Sequence, residues 1–200
     1  MSFFDDNRKV GLALIIVGIL NVIVPILNII YSFVDDGNVG AVSVGAIGVM
    51  IFGILILLFG MRVRSGPNDK VGILSGLVRV IGVATILAAV FSAVSSYMAS
   101  DDVGIAAAVG VVIVQIIIGL ILLWIAGKIA GSSKNVISKV LWVLLMVVFL
   151  ILAILQLITL VVCLFDALWL EAVVSLCMIF VYAYAFIATI SPEVKSSMGI

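Results

Sequence analysis

Apolar residues in this chain do not alternate with polar ones; they run on in long stretches separated by short polar segments. Six stretches stand out: Val10 to Val34, Val39 to Met61, Val80 to Met98, Val103 to Ala126, Val140 to Phe165 and Ala172 to Ile190. Each exceeds the roughly 18 residues that a helix needs to cross a hydrocarbon core of about 30 Å. Continuous apolar runs of this length predict helices, because membrane strands would show segments of about ten residues with alternating polarity. The expectation is an all-α integral membrane protein, a six-transmembrane-helix bundle, with residues 1–200 forming a single transmembrane domain and no soluble domain left over. The first run is too long for a signal-peptide core and no small-residue cleavage site follows it, so it reads as a retained anchor.

Composition agrees: 66% of residues are hydrophobic and 10% charged, and the mean hydropathy is +1.53. Such a chain needs lipid as the solvent for most of its surface. The charges are distributed unevenly. Lysine and arginine occur at the amino terminus, between the second and third runs, between the fourth and fifth, and at the carboxyl terminus. The three remaining loops carry Asp35, Asp36, Asp101, Asp102, Asp166 and Glu171 and no basic residue. The positive-inside rule then predicts a multi-pass protein of the cell membrane with both termini cytoplasmic. Arg79 interrupts an apolar stretch; the reading adopted is that residues 68–78 lie partly at the interface and Arg79 snorkels to the headgroups. Cys163 and Cys177 both sit inside apolar runs and read as buried small residues. With no histidine in the chain, zinc and haem ligation are not expected, and no cofactor or metal site is assigned.

Self-comparison gives a recurring offset of 64 to 66 residues, as between Gly53 to Phe59 and Gly119 to Trp124. Asp36, Asp101 and Asp166 recur at steps of 65, as do Gly45, Gly110 and Ser175. The period equals one helical hairpin, so the chain is expected to hold three hairpin repeats, about 1–66, 67–131 and 132–200, in a pseudo-threefold arrangement about the membrane normal.

Within the first run Gly18, Asn21, Pro25, Asn28 and Ser32 are spaced by three or four, which places them on one helical stripe. A step of 64 carries that stripe onto Gly82, Thr85, Ala89, Ser92 and Ser96, and a second step onto Met146, Phe149, Ala153, Gln156 and Leu160. Asn21, Pro25, Asn28, Thr85, Ser92 and Gln156 therefore form a candidate polar seam, expected to put the odd-numbered helices in an inner ring because amides facing lipid lack partners. Pro25 removes the donor that would pair the carbonyl of Asn21. Asp36, Asp101 and Asp166 form a candidate acidic outer mouth, although helix capping and topology account for acids there as well.

Catalysis has little to work with: no phosphate-cradling glycine loop and no serine, cysteine and histidine arrangement can be assembled. An enzyme is not expected. The favoured reading is a structural or accessory membrane subunit that packs with itself or a larger complex; the alternative is a small channel or transporter for a cation or polar solute through the seam. Expected partners are the bilayer, other membrane subunits or further copies of the chain, and anionic lipid at the basic rim, with no nucleic acid. The pairs Gly72 and Gly76, and Gly127 and Gly131, have the spacing of close helix contacts.

Overall fold

A computed structural model describes residues 3–34, 39–67, 69–99, 105–131 and 136–200. A single 3-10 turn, Phe3–Asp5, precedes seven α-helices: α1 Asn7–Val34, α2 Val39–Ser65, α3 Lys70–Ala99, α4 Ile105–Ala130, α5 Val136–Phe165, α6 Trp169–Thr189 and the short α7 Pro192–Ser197. The described residues contain no strand, and α1 to α6 each hold a span long and apolar enough to cross a membrane. The chain is thus a polytopic, all-helical membrane protein.

The largest change from the expected boundaries is at α3, which starts at Lys70 as unbroken helix instead of near Val80. Arg79 is exposed. Its Cα lies nine residues into α3, about 13 Å along the axis. A helix of 30 residues overshoots a core of about 30 Å by roughly 7 Å at each end. The guanidinium therefore has only a few ångströms to reach the headgroups, within the span of its own stem.

Helix association in lipid gains nothing from apolar burial as such and relies on close packing. The sequence-adjacent hairpins α1–α2, α3–α4 and α5–α6 are all tightly paired, and α2 also packs extensively on α3. Helix α6 joins the third hairpin to α1 and touches α3, whereas α4 and α5 barely meet. Among the described residues no substantial contact joins any two of α1, α3 and α5, so the inner ring expected from the polar stripes does not form: α2 packs on both α1 and α3, and α6 on both α1 and α5. The interfaces between hairpins are unequal, whereas exact threefold closure would make them alike. The molecule is better described as a layer of α1 to α4 with the α5–α6 hairpin laid against it through α6.

Glycine explains where the layer is tight. A Cβ added at Gly18 would lie 2.6 Å from the backbone nitrogen of Leu57 and 2.7 Å from the carbonyl oxygen of Gly53; one at Gly53 would lie 2.8 Å from the carbonyl oxygen of Gly18. Backbone meets backbone here, so no side chain can move aside. By contrast Gly127 faces open space and Gly131 meets only carbonyls of its own last turn. Of the glycines at close-contact spacing, Gly76 meets the Phe59 ring of α2, where an added Cβ would lie 2.8 Å from it.

Asp6 begins α1. Its Oδ1 accepts hydrogen bonds from the backbone N–H groups of Arg8 (3.0 Å) and Lys9 (3.4 Å), an N-cap arrangement, and its other oxygen lies 3.6 Å from the Lys9 ammonium. Desolvation by itself pushes the carboxyl up, but the two backbone donors and the Lys9 charge outweigh it and hold the pKa below the usual 3.8. A depressed folded-state pKa makes the cap stabilising above the unfolded value and loses that contribution as pH falls through the folded one.

Two outcomes follow. Gly18→Leu or Gly53→Leu destabilises by at least the ~1–3 kcal/mol of an overpacked core, read as a lower thermal unfolding midpoint in detergent, while Gly127→Leu leaves it unchanged. Asp6→Ala lowers the midpoint at neutral pH, and the gap from the unaltered chain closes below about pH 4.

Candidate functional site

The fully buried side chains of the apolar core lie toward the end of the bundle that carries both termini. They include Val10 and Leu14 of α1, Ile56 of α2, Leu74, Leu77 and Val78 of α3, Ala126 of α4, Phe149 of α5, and Val181 and Ala185 of α6. Below them Lys70 is buried, donating from Nζ to the carbonyl of Phe4 at 2.8 Å with Asp5 at 3.9 Å. The Phe4 ring stacks on Phe180 and Tyr184 with centroids 6.3 and 6.2 Å away. This end is closed.

Toward the opposite end, the layer and the α5–α6 hairpin separate around a cavity of about 730 Å³. Helix α1 lines it with Asn21, Pro25 and Asn28; α2 with Val42, Gly45, Ala46, Gly48, Val49 and Phe52; α3 with Ile81, Ala84, Thr85 and Ala88. Helix α4 contributes Gln115, α5 contributes Gln156, Thr159 and Cys163, and α6 contributes Glu171, Val174, Ser175, Met178 and Tyr182. The twelve residues from Glu171 to Tyr182 span about 16 Å of helix axis, so the cavity runs from the far rim to mid-bundle.

At the rim Asn28 donates from Nδ2 to Glu171 Oε1 at 3.2 Å, joining α1 to α6. Glu171 is exposed, and among the described residues it is the only charged one in the lining and no lysine or arginine lies within ion-pair distance of it. Deeper in, Asn21 is wholly buried. Its Nδ2 donates to the carbonyl of Val17 at 2.9 Å, and its Oδ1 has no donor. A buried acceptor left in that state costs about 1–3 kcal/mol. Pro25, inside α1, also denies the Asn21 backbone carbonyl its usual helical partner. Thr85 and Thr159 donate to carbonyls of their own helices, Ile81 at 2.8 Å and Leu155 at 3.0 Å, leaving their oxygens able to accept. The site is thus rich in acceptors, carries one negative charge and is otherwise aliphatic and aromatic.

Of the seam residues, Asn21, Pro25, Asn28, Thr85 and Gln156 line this one cavity. Ser92 does not: one turn beyond Ala88 it is exposed, and at that level the wall is formed by α2 through Gly45. Nearby Ser95 instead ties α3 to α2 by donating to the carbonyl of Ala41 at 2.7 Å. Asp36 and Asp101 lie outside the described residues, and Asp166 is exposed in the α5–α6 turn without lining the cavity. Sequence reasoning missed Glu171 as a member of the site, counting it with the loop acids, and did not include Gln115. A signal was present: Gln156, Thr159 and Cys163 are spaced three and four apart, and Glu171, Ser175, Met178 and Tyr182 four, three and four. Among the described residues no group of three acids, cysteines or histidines is placed to hold a metal ion.

The chain matches no protein-family model, no curated protein and no solved structure. Function must therefore be argued from the cavity itself. The two cysteines offer a direct check: both are buried, but only Cys163 lines the cavity. A small cationic methanethiosulfonate reagent is expected to label Cys163 about tenfold or more faster than Cys177 in the folded protein. Equal rates would show that the cavity is not accessible.

Proposed function

We propose that this chain is a non-enzymatic carrier that binds a small polar or cationic organic solute in the cavity and moves it across the cell membrane. One observation carries the reading: amides, hydroxyls and a carboxylate from α1, α3, α4, α5 and α6 border one space of about 730 Å³ that runs from the rim to mid-bundle. That volume is within the range of small-molecule sites, about 300–1,000 Å³. Packing alone would have brought the amides into direct contact. A carrier is favoured over an open channel because the apolar core and the Phe4 contacts close the terminal end. Opening that end requires the α5–α6 hairpin to move against the layer, and the sparse α4–α5 contact opposes this little.

The basic residues beside the termini, including Arg62, Arg64 and Lys70, support a cytoplasmic position for the closed end, with the cavity facing outward. The recurring 64 to 66 residue offset supports descent of the three hairpins from one unit.

A second reading, an accessory subunit, rests on α5. Its span is 11% buried, and its exposed residues are mostly large and aliphatic, from Val140 through Leu150 and Leu157 to Leu164. Such a face suits lipid, a second copy or another membrane subunit, with anionic lipid at the basic rim.

Proteoliposomes loaded with a mixture of small polar and cationic organic solutes test the carrier reading. The unaltered chain releases at least one of them, and Asn28→Leu and Gln156→Leu each slow that release about tenfold, as expected for polar solute atoms left without partners. Indistinguishable traces from all three would refute transport. Recovery of a stoichiometric partner after mild detergent extraction, together with absent flux, would establish the accessory role instead.

A further inference from the structure

The carrier reading leaves the chemical class of the solute open, and the lining narrows it. Glu171 places one negative charge at the rim, with an amide from Asn28 as its hydrogen-bond partner and no cation in range among the described residues. A carboxylate so placed attracts positive charge and repels anions, the more strongly because the surrounding helices and lipid are of low dielectric. The opposite end of the cavity offers the wholly buried Oδ1 of Asn21, which has no donor. Between them the walls include Pro25, Val49, Phe52, Ala84 and Met178, which solvate a hydrocarbon body. A bare metal ion needs several oxygens converging at about 2–2.6 Å, and among the described residues no group of three acids, cysteines or histidines is arranged to hold one. Aromatic rings of Phe52 and Tyr182, toward the deep end of the wall, suit the apolar body of such a solute.

Resting on the cavity as the solute site, we propose that the solute is an ammonium-bearing organic monocation with an apolar body. Its charged nitrogen binds at Glu171 and Asn28 and its bulk extends along the apolar wall toward Asn21. Net charge enters with the solute and offsets that of the carboxylate. The near absence of contact between α4 and α5, which both contribute to the lining, gives an amphiphile of this kind a route in from the bilayer.

Three molecules with one shared body separate charge from hydrophobicity: 3-phenylpropylammonium, 3-phenylpropanol and 3-phenylpropionate. Their binding to the full chain in lipid nanodiscs is measured by calorimetry and by protection of Cys163 from thiol labelling. The ammonium is expected to bind about tenfold tighter than the alcohol, with the propionate weakest. Glu171→Gln brings the affinity for the ammonium down to that for the alcohol, and an unaltered thermal unfolding midpoint shows that the variant is folded. Equal affinity for ammonium and alcohol, preference for the propionate, or a preference that survives in Glu171→Gln overturns the proposal. The ligand series on the unaltered chain decides the matter even where the variant does not fold. Flux separates the two levels: ammonium binding without transport removes the carrier reading and leaves the ligand class standing, whereas transport with no charge preference does the reverse.

Discussion

In a bilayer, apolar surface is as comfortable against lipid as against another helix, so association depends on how closely backbones can approach. That constraint shapes the whole molecule. Gly18 and Gly53 let α1 and α2 touch main chain to main chain, and Gly82 and Gly119 do the same for α3 and α4, where an added Cβ would lie 2.8 to 3.0 Å from the opposite carbonyl oxygen. Neither α5 nor α6 contains a glycine. The third hairpin therefore docks on the layer through larger side chains and stands off from α4, and the space so left is the cavity.

Polar groups occupy that space because they have few alternatives. An amide on a lipid-facing surface lacks partners, and in a glycine-packed interface it would not fit. Asn28 finds Glu171 across the gap, while Asn21 satisfies its nitrogen on its own helix and leaves its oxygen without a donor. At the terminal end the same gap is filled by Phe149, Tyr184 and the first-turn aromatic Phe4, held by the buried Lys70. One side of the bundle is consequently solvated by its own side chains and the other is open to a guest. That asymmetry gives the cavity a direction.

Parts of the site were legible from spacing alone. Asn21, Pro25 and Asn28 fall on one stripe by helical period, and five of the six seam residues do line a common cavity. Stepping by 64 failed at Ser92 because it carries over position along the helix without regard to where neighbouring helices diverge. It also selected Leu160 where Thr159 lines the wall, since one residue turns a helix by about 100°. Glu171 was overlooked for a different reason: an acid at the start of a span reads as a loop or capping residue, and only the approach of α1 to α6 gives it a partner in Asn28.

The sequence by itself determined that six helices long and apolar enough to cross a membrane form, because segment length and apolarity are local quantities set by the thickness and chemistry of the bilayer. It also determined which face of α1 avoids lipid, through the three-and-four spacing of its amides and glycines. The tertiary structure alone decided that the contacts between hairpins pair an odd helix with an even one, α2 with α3 and α6 with α1, and that the polar stripes border a cavity instead of meeting. Helix packing depends on side-chain volumes at matched heights on two surfaces, which are pairwise and nonlocal. No periodicity along one helix records how far away its neighbour stands.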